Sequence, residues 1–335
     1  MILYNEQDTL GLARYGMDIP IRESKAARTF GELIEHPVLG PLHEAWHRRT
    51  AAGGIEKDDL LRVHSREYVQ KLFSDQLRFE VLRTYELVNE DGTYNRYDPA
   101  AAEQPLEAVL QQALQKASGT WQCCRMALDS GFCFYFGGGM HHAHRTRGKG
   151  FCLINDVVIA PRKLQAEGLV QRAWIIDVDA HKGDGTAALT YGDDSIVSMS
   201  LHMAEGWPLD EPEYDGSGQL NPSYVPSDID VPIPRGGEAD YLPRLDEGLA
   251  RLDRHPRPDL ALVLSGADPY AGDELASAGQ LQLSLDQLLQ RDRRIYTFLE
   301  ERGIPKAYLM AGGYGTDSWR VYSQFLKWVL ARLYT

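Results

Sequence analysis

The sequence is short of cysteine and of positive charge, and each shortage argues against a class of site. Its cysteines, Cys123, Cys124, Cys133 and Cys152, form no C-x-x-C pair. They therefore indicate buried, reduced thiols rather than a disulfide framework or a thiolate metal site. Lys and Arg together number 35 against 48 Asp and Glu, which gives a net charge of -13. A nucleic-acid surface needs clustered cations, so we predict no nucleic-acid partner and consider that a cationic substrate suits this charge better.

Long apolar runs and low-complexity tracts are also missing. No run is long enough to cross a bilayer, and residues 1–6 lack the basic, apolar and small-residue order of a signal peptide. We therefore predict no membrane partner and a cytoplasmic location. Because no Ser/Gly linker or repeat divides the chain, residues 1–335 are predicted to form one domain.

Short apolar runs alternate with longer stretches of helical period. The runs are too short for core helices and unbroken enough for strands that are covered on both faces. They span 132–136, 174–178, 196–201, 260–264 and 307–310, with 1–4 as a further candidate. Helices are predicted over 156–167, 241–252, 283–301 and 318–334. This order predicts an α/β fold in which a mostly parallel sheet carries helices on both faces.

Unusual polar residues follow four of the predicted strands. Residues 137–142 read GGGMHH, 177–185 read DVDAHKGDG, 265–268 read SGAD and 311–315 read AGGYG. Open α/β sheets bind ligands beyond the carboxyl ends of their strands. Histidine, carboxylate and phenol side chains are therefore expected at one rim of the sheet.

Asp179 and His181 are the first metal candidates, because side chains two residues apart on an extended chain point the same way. Asp268, at another strand end, can supply a third ligand. Two carboxylates and one imidazole leave a fourth position open, as catalytic zinc requires. A D-x-H pair alone is more often an ordinary turn, but Asp177, Asp184 and two glycines beside it favour the metal interpretation.

His141 and His142 follow three consecutive glycines. Glycine lets the backbone turn tightly and approach a ligand closely. Imidazole titrates near neutral pH, so it can take a proton from water and pass it to a leaving amine. This pair is therefore predicted to act in acid-base catalysis, whereas a structural role is predicted for His144 and His202.

In their joint order, these motifs resemble the histone deacetylase family, within the arginase and deacetylase fold. The matching segments are 61–69 (LRVHSREYV), 139–142 (GMHH), 150–156 (GFCLIND), 177–185, 266–268 (GAD) and 312–314 (GGY). The Gly-Gly-Met before the histidine pair, the Asp-Ala-His sequence and the short Gly-Gly-Tyr turn are most similar to class IV deacetylases and bacterial deacetylase-like amidohydrolases. Lys182 stands where many relatives have a second histidine, and we expect it to face away from the metal.

The resemblance implies a zinc-dependent hydrolase that removes an acyl group, acetyl or longer, from an amine. Acyl-lysine is the preferred substrate. The implied zinc ligands are Asp179, His181 and Asp268. His142 is implied as the general base and later acid, with electrostatic help from His141.

Further roles follow from the same resemblance. Asp177 would pair with His141, Asp184 with His142, and Tyr314 would donate its hydroxyl to the substrate carbonyl. Gly150 and Phe151 would line the substrate channel. A potassium ion is implied near Asp177, Asp179, His181, Ser200 and Leu201. A rim carboxylate that grips the substrate could be Asp91 or Asp98, although a solvated loop is the favoured interpretation of both.

Three alternatives stay open at this point. The substrate could be an acetylpolyamine instead of an acyl-lysine. An arginase-type ureohydrolase with two manganese ions would need an Asp-x-Asp pair, but Pro269 and Tyr270 follow Asp268. A catalytically silent acyl-amine binding protein would not need His141, His142 and Tyr314 together. The sequence leaves acyl chain length, zinc against iron, and oligomeric state open.

Overall fold

A computed structural model describes residues 1–6, 11–19 and 24–335. Its strands are β1 (Ile2–Leu3), β2 (His47–Arg48), β3 (Phe132–Tyr135), β4 (Ala173–Asp177), β5 (Ile196–Met203), β6 (Ile229–Ile233), β7 (Leu260–Ser265) and β8 (Lys306–Met310). Within the described ranges these strands form one sheet in the order β2-β1-β3-β8-β7-β4-β5-β6. Every neighbouring pair is parallel. The predicted α/β class with a parallel sheet is therefore confirmed.

The helices connect these strands and cover both faces of the sheet. They are α1 (Ser24–Ile34), α2 (His43–Trp46), α3 (Lys57–Leu60), α4 (Arg66–Leu72), α5 (Leu77–Thr84), α6 (Val109–Ser130), α7 (Asp156–Ala166), α8 (Asp184–Thr190), α9 (Tyr241–Leu252), α10 (Leu285–Glu301) and α11 (Trp319–Tyr334). The four helices predicted from the sequence are confirmed as α7, α9, α10 and α11. None of the helices in the described part of the chain has the length and apolar character needed to span a bilayer.

Successive side chains of the central strands enter opposite cores. On β3, Cys133 and Tyr135 join the core that α6 and α7 cover, whereas Phe132 and Phe134 join the core beneath α10 and α11. A strand that is buried on both faces needs apolar residues at every position, which accounts for the unbroken apolar runs. All four cysteines are buried and free, as predicted, and burial raises the pKa of the Cys152 thiol above its ordinary value.

The four strands that carry the polar motifs are adjacent, and their ends are level. Tyr135 on β3 lies beside Leu309 on β8, Leu264 on β7 also lies beside Leu309, and Asp177 on β4 lies beside Leu264. Because all four strands are parallel, the loops that follow them leave from one edge of the sheet. The site is assembled at this edge.

Candidate metal centre and substrate channel

Asp179, His181 and Asp268 meet beyond the ends of β4 and β7. One potential ligand atom from each residue lies within 4.8 Å of the other two. His181 Nδ1 is 3.0 Å from Asp268 Oδ2 and 3.3 Å from Asp179 Oδ1. All three side chains are buried. Among the described residues, this is the one cluster of histidine, cysteine or acidic side chains with the geometry to hold a metal ion.

The charge and shape of this cluster fit a zinc ion. Burial and the nearby Asp179 carboxylate raise the pKa of Asp268 to about 7, so the two carboxylates oppose each other's ionisation until a cation neutralises them. Oxygen and imidazole nitrogen are both zinc ligands. Two glycines leave space for these carboxylates, because a Cβ atom at Gly312 or Gly266 would overlap the side chains of Asp179 and Asp268.

Surrounding donors fix the orientation of the three side chains. The Gly312 amide donates to Asp179 Oδ2 at 2.9 Å, and the Ala180 amide donates to Asp268 Oδ1 at 3.2 Å. His181 Nε2 lies 3.2 Å from the Ser277 hydroxyl. A metal-binding histidine is usually oriented through its second ring nitrogen, and Ser277 has that position here. The sequence analysis missed Ser277.

Two histidine-aspartate pairs stand beside the metal cluster. His141 Nδ1 is 2.6 Å from Asp177 Oδ2, and His142 Nδ1 is 2.7 Å from Asp184 Oδ1. The two imidazole ring centroids are 3.9 Å apart. Both carboxylates face Nδ1, so each neutral histidine would donate its Nδ1 hydrogen and keep a lone pair on Nε2.

The pKa values of the two histidines shift in opposite directions. Burial disfavours the charged form of both, but at His141 the Asp177 and Asp179 carboxylates outweigh burial and raise the pKa to about 9. Burial, together with the neighbouring charge of His141, lowers the pKa of His142 to about 3. At neutral pH His142 is therefore a neutral base and His141 is a cation. Two adjacent histidines with separated pKa values can take different parts in proton transfer.

Asp184 has more partners than the sequence indicates. His144 Nε2 lies 3.1 Å from Asp184 Oδ2, and Lys149 Nζ and the Ser223 hydroxyl donate to the same oxygen at 2.9 Å each. Burial opposes ionisation of this carboxyl, but the His142 and His144 contacts hold its pKa well below its ordinary value. His144 therefore shares the carboxylate that orients His142, a contact the sequence analysis did not predict, and Lys149 and Ser223 were missed.

The segment at 150–156 anchors the histidine loop. Asp156 accepts hydrogen bonds from the amides of Gly139 and Met140 at 3.0 and 2.7 Å. Asn155 caps α7 by accepting from the Val158 amide at 3.1 Å and donates to the His141 carbonyl at 3.3 Å. Gly139 has φ +79°, a conformation that favours glycine.

His64, from the matching segment at 61–69, ties the same loops together. Its Nδ1 is 2.9 Å from the His144 carbonyl, and its Nε2 accepts from the Asn155 amide at 3.1 Å. These contacts require the neutral tautomer with hydrogen on Nδ1. Burial lowers the pKa of His64 to about 4. His202, by contrast, hydrogen-bonds with Ser200.

An aromatic channel leads from the surface to the cluster. It is a cavity of about 350 Å³ whose walls include Phe151, Trp207, Tyr314, His142 and His181. The Trp207 ring centroid is 4.4 Å from that of His142. Gly150, at φ +55°, leaves space for the indole, because a Cβ atom there would overlap Trp207. Trp207 was missed in the sequence because it lies in the irregular loop 204–228.

A second cavity of about 140 Å³ shares Tyr314, Gly150 and Phe151 with the first and is also lined by residues 137–140. Lys25 borders it and donates to the carbonyls of Ala311 and Gly313 at 2.6 and 3.2 Å. Burial lowers the pKa of Lys25 to about 8. Lys25 was also missed in the sequence analysis.

Tyr314 lines both cavities. Its amide donates to Asp273 Oδ2 at 2.7 Å, which fixes the turn after β8. Burial, followed by the charges of Asp179 and Asp268, raises the pKa of the Tyr314 phenol well above its ordinary value. The phenol is therefore protonated and able to donate a hydrogen bond at neutral pH.

The remaining predicted residues lie at or near the same edge. Ser200 is beside Asp177 in the sheet, and Leu201 follows it. Lys182 points toward β6, where its Nζ is 3.5 Å from Asp230 Oδ2. Two exposed residues, Asp91 and Asp98, hydrogen-bond within their own loop, to Thr93 and to the Ala100 amide, and neither lines the channel.

Comparison with known proteins identifies relatives of this chain. A model of the histone deacetylase domain matches residues 20–331. An uncharacterized protein of Picosynechococcus sp. is 34% identical over 210 residues, which cover 62% of this chain and 65% of that protein. Histone deacetylase 2 of Arabidopsis thaliana is 29% identical over 272 residues, which cover 81% of this chain and 64% of that protein. The chain thus spans just under two thirds of the length of these curated relatives.

The fold also matches solved structures. A crystal structure of an HDAC homolog from Aquifex aeolicus superposes with a TM-score of 0.72 at 20% sequence identity, covering 97% of this chain and 82% of that one. A crystal structure of an HDAC homolog complexed with SAHA gives a TM-score of 0.70 at 22% identity, covering 98% and 82%. At these identities the likeness concerns the fold.

Proposed function

The chain belongs to the histone deacetylase family, and from that membership we propose that it is a zinc-dependent amidohydrolase acting on Nε-acyl-lysine. One observation carries the proposal. A buried Asp179, His181 and Asp268 cluster lies beside two histidine-aspartate pairs at the inner end of an aromatic channel. The residues that amide hydrolysis needs would thus act together on one substrate carbonyl at the end of the channel.

Asp179, His181 and Asp268 would hold the zinc ion. When bound, zinc polarises a carbonyl oxygen and makes water acidic enough to act as a nucleophile near neutral pH. The two carboxylates would be neutralised by the ion, and His181 would be kept in position by Ser277.

His142 would act as general base and then as general acid. Its low pKa leaves Nε2 unprotonated at neutral pH, ready to remove a proton from the attacking water. Delivery of that proton to the departing amine nitrogen completes cleavage of the carbon-nitrogen bond. Asp184 holds the ring in the required orientation, and the cationic His141 would stabilise the negative charge that forms on the former carbonyl oxygen.

Tyr314 would donate a second hydrogen bond to that oxygen. Such a donor accelerates the reaction because it meets more charge in the transition state than in the substrate. Phe151 and Trp207 would enclose the apolar stem of the lysine and keep bulk water away. The inner cavity beside Lys25 gives space beyond the carbonyl for the acyl group.

We also propose a potassium ion beside the metal cluster, at Asp177, Asp179, His181, Ser200 and Leu201. Support comes from the register of β4 and β5, which sets Asp177 beside Ser200. A monovalent cation there would offset the buried negative charge of the 177–181 turn. Dialysis against sodium-free and potassium-free buffer should then lower activity, and added potassium should restore it.

An acetylpolyamine is the second candidate substrate. The channel walls include the exposed carboxylates of Glu86 and Asp210, and the chain carries a net charge of -13. Both features attract a cation. Arg96 at the same mouth repels one, so acyl-lysine remains the preferred substrate.

A hydrolysis panel tests the proposal. It crosses acetyl, butyryl and long-chain acyl groups with a lysine peptide, free lysine and a polyamine. Acyl-lysine should be turned over, chelation should abolish turnover, and zinc should restore it. His142→Gln should reduce kcat by roughly 10²- to 10⁴-fold, whereas His43→Gln, at an exposed position of α2, should not. If only acetylpolyamines were hydrolysed, the substrate would be an acetylpolyamine and not an acyl-lysine.

A further inference from the structure

Two opposite charges at the channel mouth have no part in the chemistry described so far. Glu86 and Arg96 both line the cavity of about 350 Å³ that reaches His142 and His181. Both side chains are exposed. Neither forms a side-chain hydrogen bond or ion pair, with each other or with any other residue that the structure describes. The mouth thus presents one exposed cation, Arg96, and two exposed anions, Glu86 and Asp210, to an entering molecule.

The backbone places these two residues at the two ends of one hairpin. Residues 87–95 form a short hairpin in which the Asn95 amide donates to the Leu87 carbonyl at 2.9 Å and Val88 pairs with Tyr94 in antiparallel register. Glu86 directly precedes this hairpin and Arg96 directly follows it. The two charges therefore stand at the base of one hairpin, one on either side of it.

Both residues have a backbone conformation that side chains disfavour. Glu86 has φ +56° and Arg96 has φ +52°. Among the described residues, one other non-glycine residue has a positive φ, Phe151 at +64°, and it lines the same cavity. Strained residues persist where the surrounding structure enforces them, and they concentrate at ligand clamps. All three line one channel, which is what a ligand clamp predicts.

We propose that Glu86 and Arg96 form a zwitterion clamp, and that the substrate is a free α-amino acid acylated on its side-chain nitrogen. This inference rests on the proposed amidohydrolase function. The Arg96 guanidinium would bind the α-carboxylate through two parallel hydrogen bonds. Glu86 would bind the α-ammonium group. The acylated side chain would then extend along the Phe151 and Trp207 walls to the metal cluster.

The pairing of opposite charges distinguishes this substrate from the alternatives. A lysine within a peptide presents neutral amides at the mouth, which can hydrogen-bond with Glu86 and Arg96 but neutralise neither charge. A polyamine presents only cations, which Arg96 repels. Asp210, the third charged residue of the lining, belongs to the loop that carries Trp207. A free amino acid satisfies both Glu86 and Arg96, since its two charged groups are attached to one carbon atom.

Four versions of one acylated lysine test the clamp. The first has a free α-amine and a free carboxylate. In the second the carboxylate is an amide, in the third the amine is a methyl carbamate, and in the fourth both groups are capped. All carry the ε-acyl group that the zinc-loaded wild-type enzyme hydrolyses fastest. Because the scissile amide is the same in all four, differences in KM report the contacts at the mouth.

The proposal expects the free amino acid to have the lowest KM. Arg96→Gln should raise KM for the carboxylate-bearing substrates roughly 5- to 10-fold relative to KM for their amides, with kcat nearly unchanged. Arg96→Lys, which keeps the charge but loses the planar fork, should fall between. Glu86→Gln should have the corresponding effect on substrates with a free ammonium group. Arg254→Gln, on the loop before β7 at the opposite edge of the sheet, is the matched control and should alter no ratio.

The outcomes separate the clamp from the proposed function. If the wild-type enzyme hydrolyses all four substrates with equal KM and Arg96→Gln leaves the ratios unaltered, the clamp is wrong and the amidohydrolase proposal stands. If KM is lowest for the doubly capped lysine, a peptide is the substrate and the clamp is again wrong. If no acylated lysine is hydrolysed, the proposed function itself fails.

Discussion

At the scale of single residues, the site is governed by four buried carboxylates. Asp177 is paired with His141, and Asp184 is held by His142 and three further donors. Asp179 and Asp268 share one imidazole, His181. The first two carboxylates thus have partners outside the metal cluster, whereas the last two share the third member of the cluster. This distribution of partners distinguishes the orienting carboxylates from the proposed metal ligands.

The Tyr314 phenol provides the sharpest test at this scale. Tyr314→Phe removes one hydrogen-bond donor and almost no volume. If that donor stabilises the developing oxyanion, kcat should fall by roughly 10²- to 10³-fold, while zinc content and thermal midpoint stay near the wild-type values. Tyr191→Phe, at an exposed position after α8, is the matched control. Near-normal turnover on the best substrate would remove Tyr314 from the mechanism and leave its turn a purely structural role.

The sequence predicts site residues where a motif follows a strand, and it misses those that arrive from elsewhere. Asp179, His181, Asp268 and the histidine pair stand directly after apolar runs, so strand order alone brings them together. Trp207, Lys149, Ser277 and Ser223 come from loops whose path has no periodic signal. Lys and Ser are also common surface residues, and nothing in their neighbours indicates that they turn inward. Their roles depend on tertiary packing.

At the scale of secondary-structure elements, the sequence predicts the buried core best. The apolar runs of β3, β4, β5, β7 and β8 are recognised because these strands are covered on both faces. β6 was missed, since its residues alternate between buried and less buried positions and include Pro232, as suits an edge strand. β2 has only two residues. The short helices α2 to α5 were missed as well, because one or two turns give too few apolar positions to establish a helical period.

Arg291 on α10 connects two strand ends that carry the proposed metal ligands. Its guanidinium donates to the carbonyls of Val178 and Gly266 at 3.1 and 2.8 Å and pairs with Asp292. The side chain is fully buried. It therefore links the backbone one residue before Asp179 with the backbone two residues before Asp268.

Arg291→Met should lower the free energy of unfolding, because it leaves buried polar groups without a hydrogen-bond partner. Loss of one partner of a buried ion pair lowers the free energy of unfolding by about 3 to 5 kcal/mol. Arg291→Met with Asp292→Leu should recover part of that loss, since no unpaired charge remains. Arg293→Met, on the exposed face of the same helix, should cost roughly 1 kcal/mol or less. Urea unfolding measures all three, and equal costs for Arg291→Met and Arg293→Met would contradict the assigned role.

At the scale of the whole molecule, buried neutral histidines link stability to pH. The pKa of His64 is about 4 in the folded protein, because of burial, against an ordinary value of 6.5. The unfolded chain therefore binds this proton more readily. The stability contributed by neutral His64 is complete above about pH 6.5 and is lost as pH falls toward 4, by a total of about 3 kcal/mol.

Replacement of His64 by an uncharged residue should flatten this pH dependence. The free energy of unfolding is measured in urea between pH 7.5 and 4.5, with chelator present so that metal binding does not contribute. His64→Gln should be less stable than wild type at pH 7.5, where it loses the two loop contacts. The difference should shrink as pH falls, because only the wild-type protein carries the protonation penalty. Parallel stability curves would show that His64 does not titrate as inferred.

Zinc binding should stabilise the entire fold, because the ligands come from the ends of two neighbouring strands and exist as a cluster only in the folded chain. A ligand that binds only the folded state and is present at 1,000 times its Kd adds about 4 kcal/mol to the free energy of unfolding.

Asp268→Asn should lose most of this increment, whereas Lys182→His should retain it, since Lys182 faces Asp230. With chelator at pH 8 the difference should nearly vanish. Asp268→Asn then relieves the repulsion from Asp179 but also weakens the contact with His181, so its stability should stay close to that of the metal-free wild type. A variant that was merely misfolded would be less stable under both conditions. Urea unfolding measures the free energy of unfolding of the wild type and the two variants, each with zinc and with chelator. If zinc stabilised Asp268→Asn as much as it stabilises the wild type, Asp268 would not be a zinc ligand.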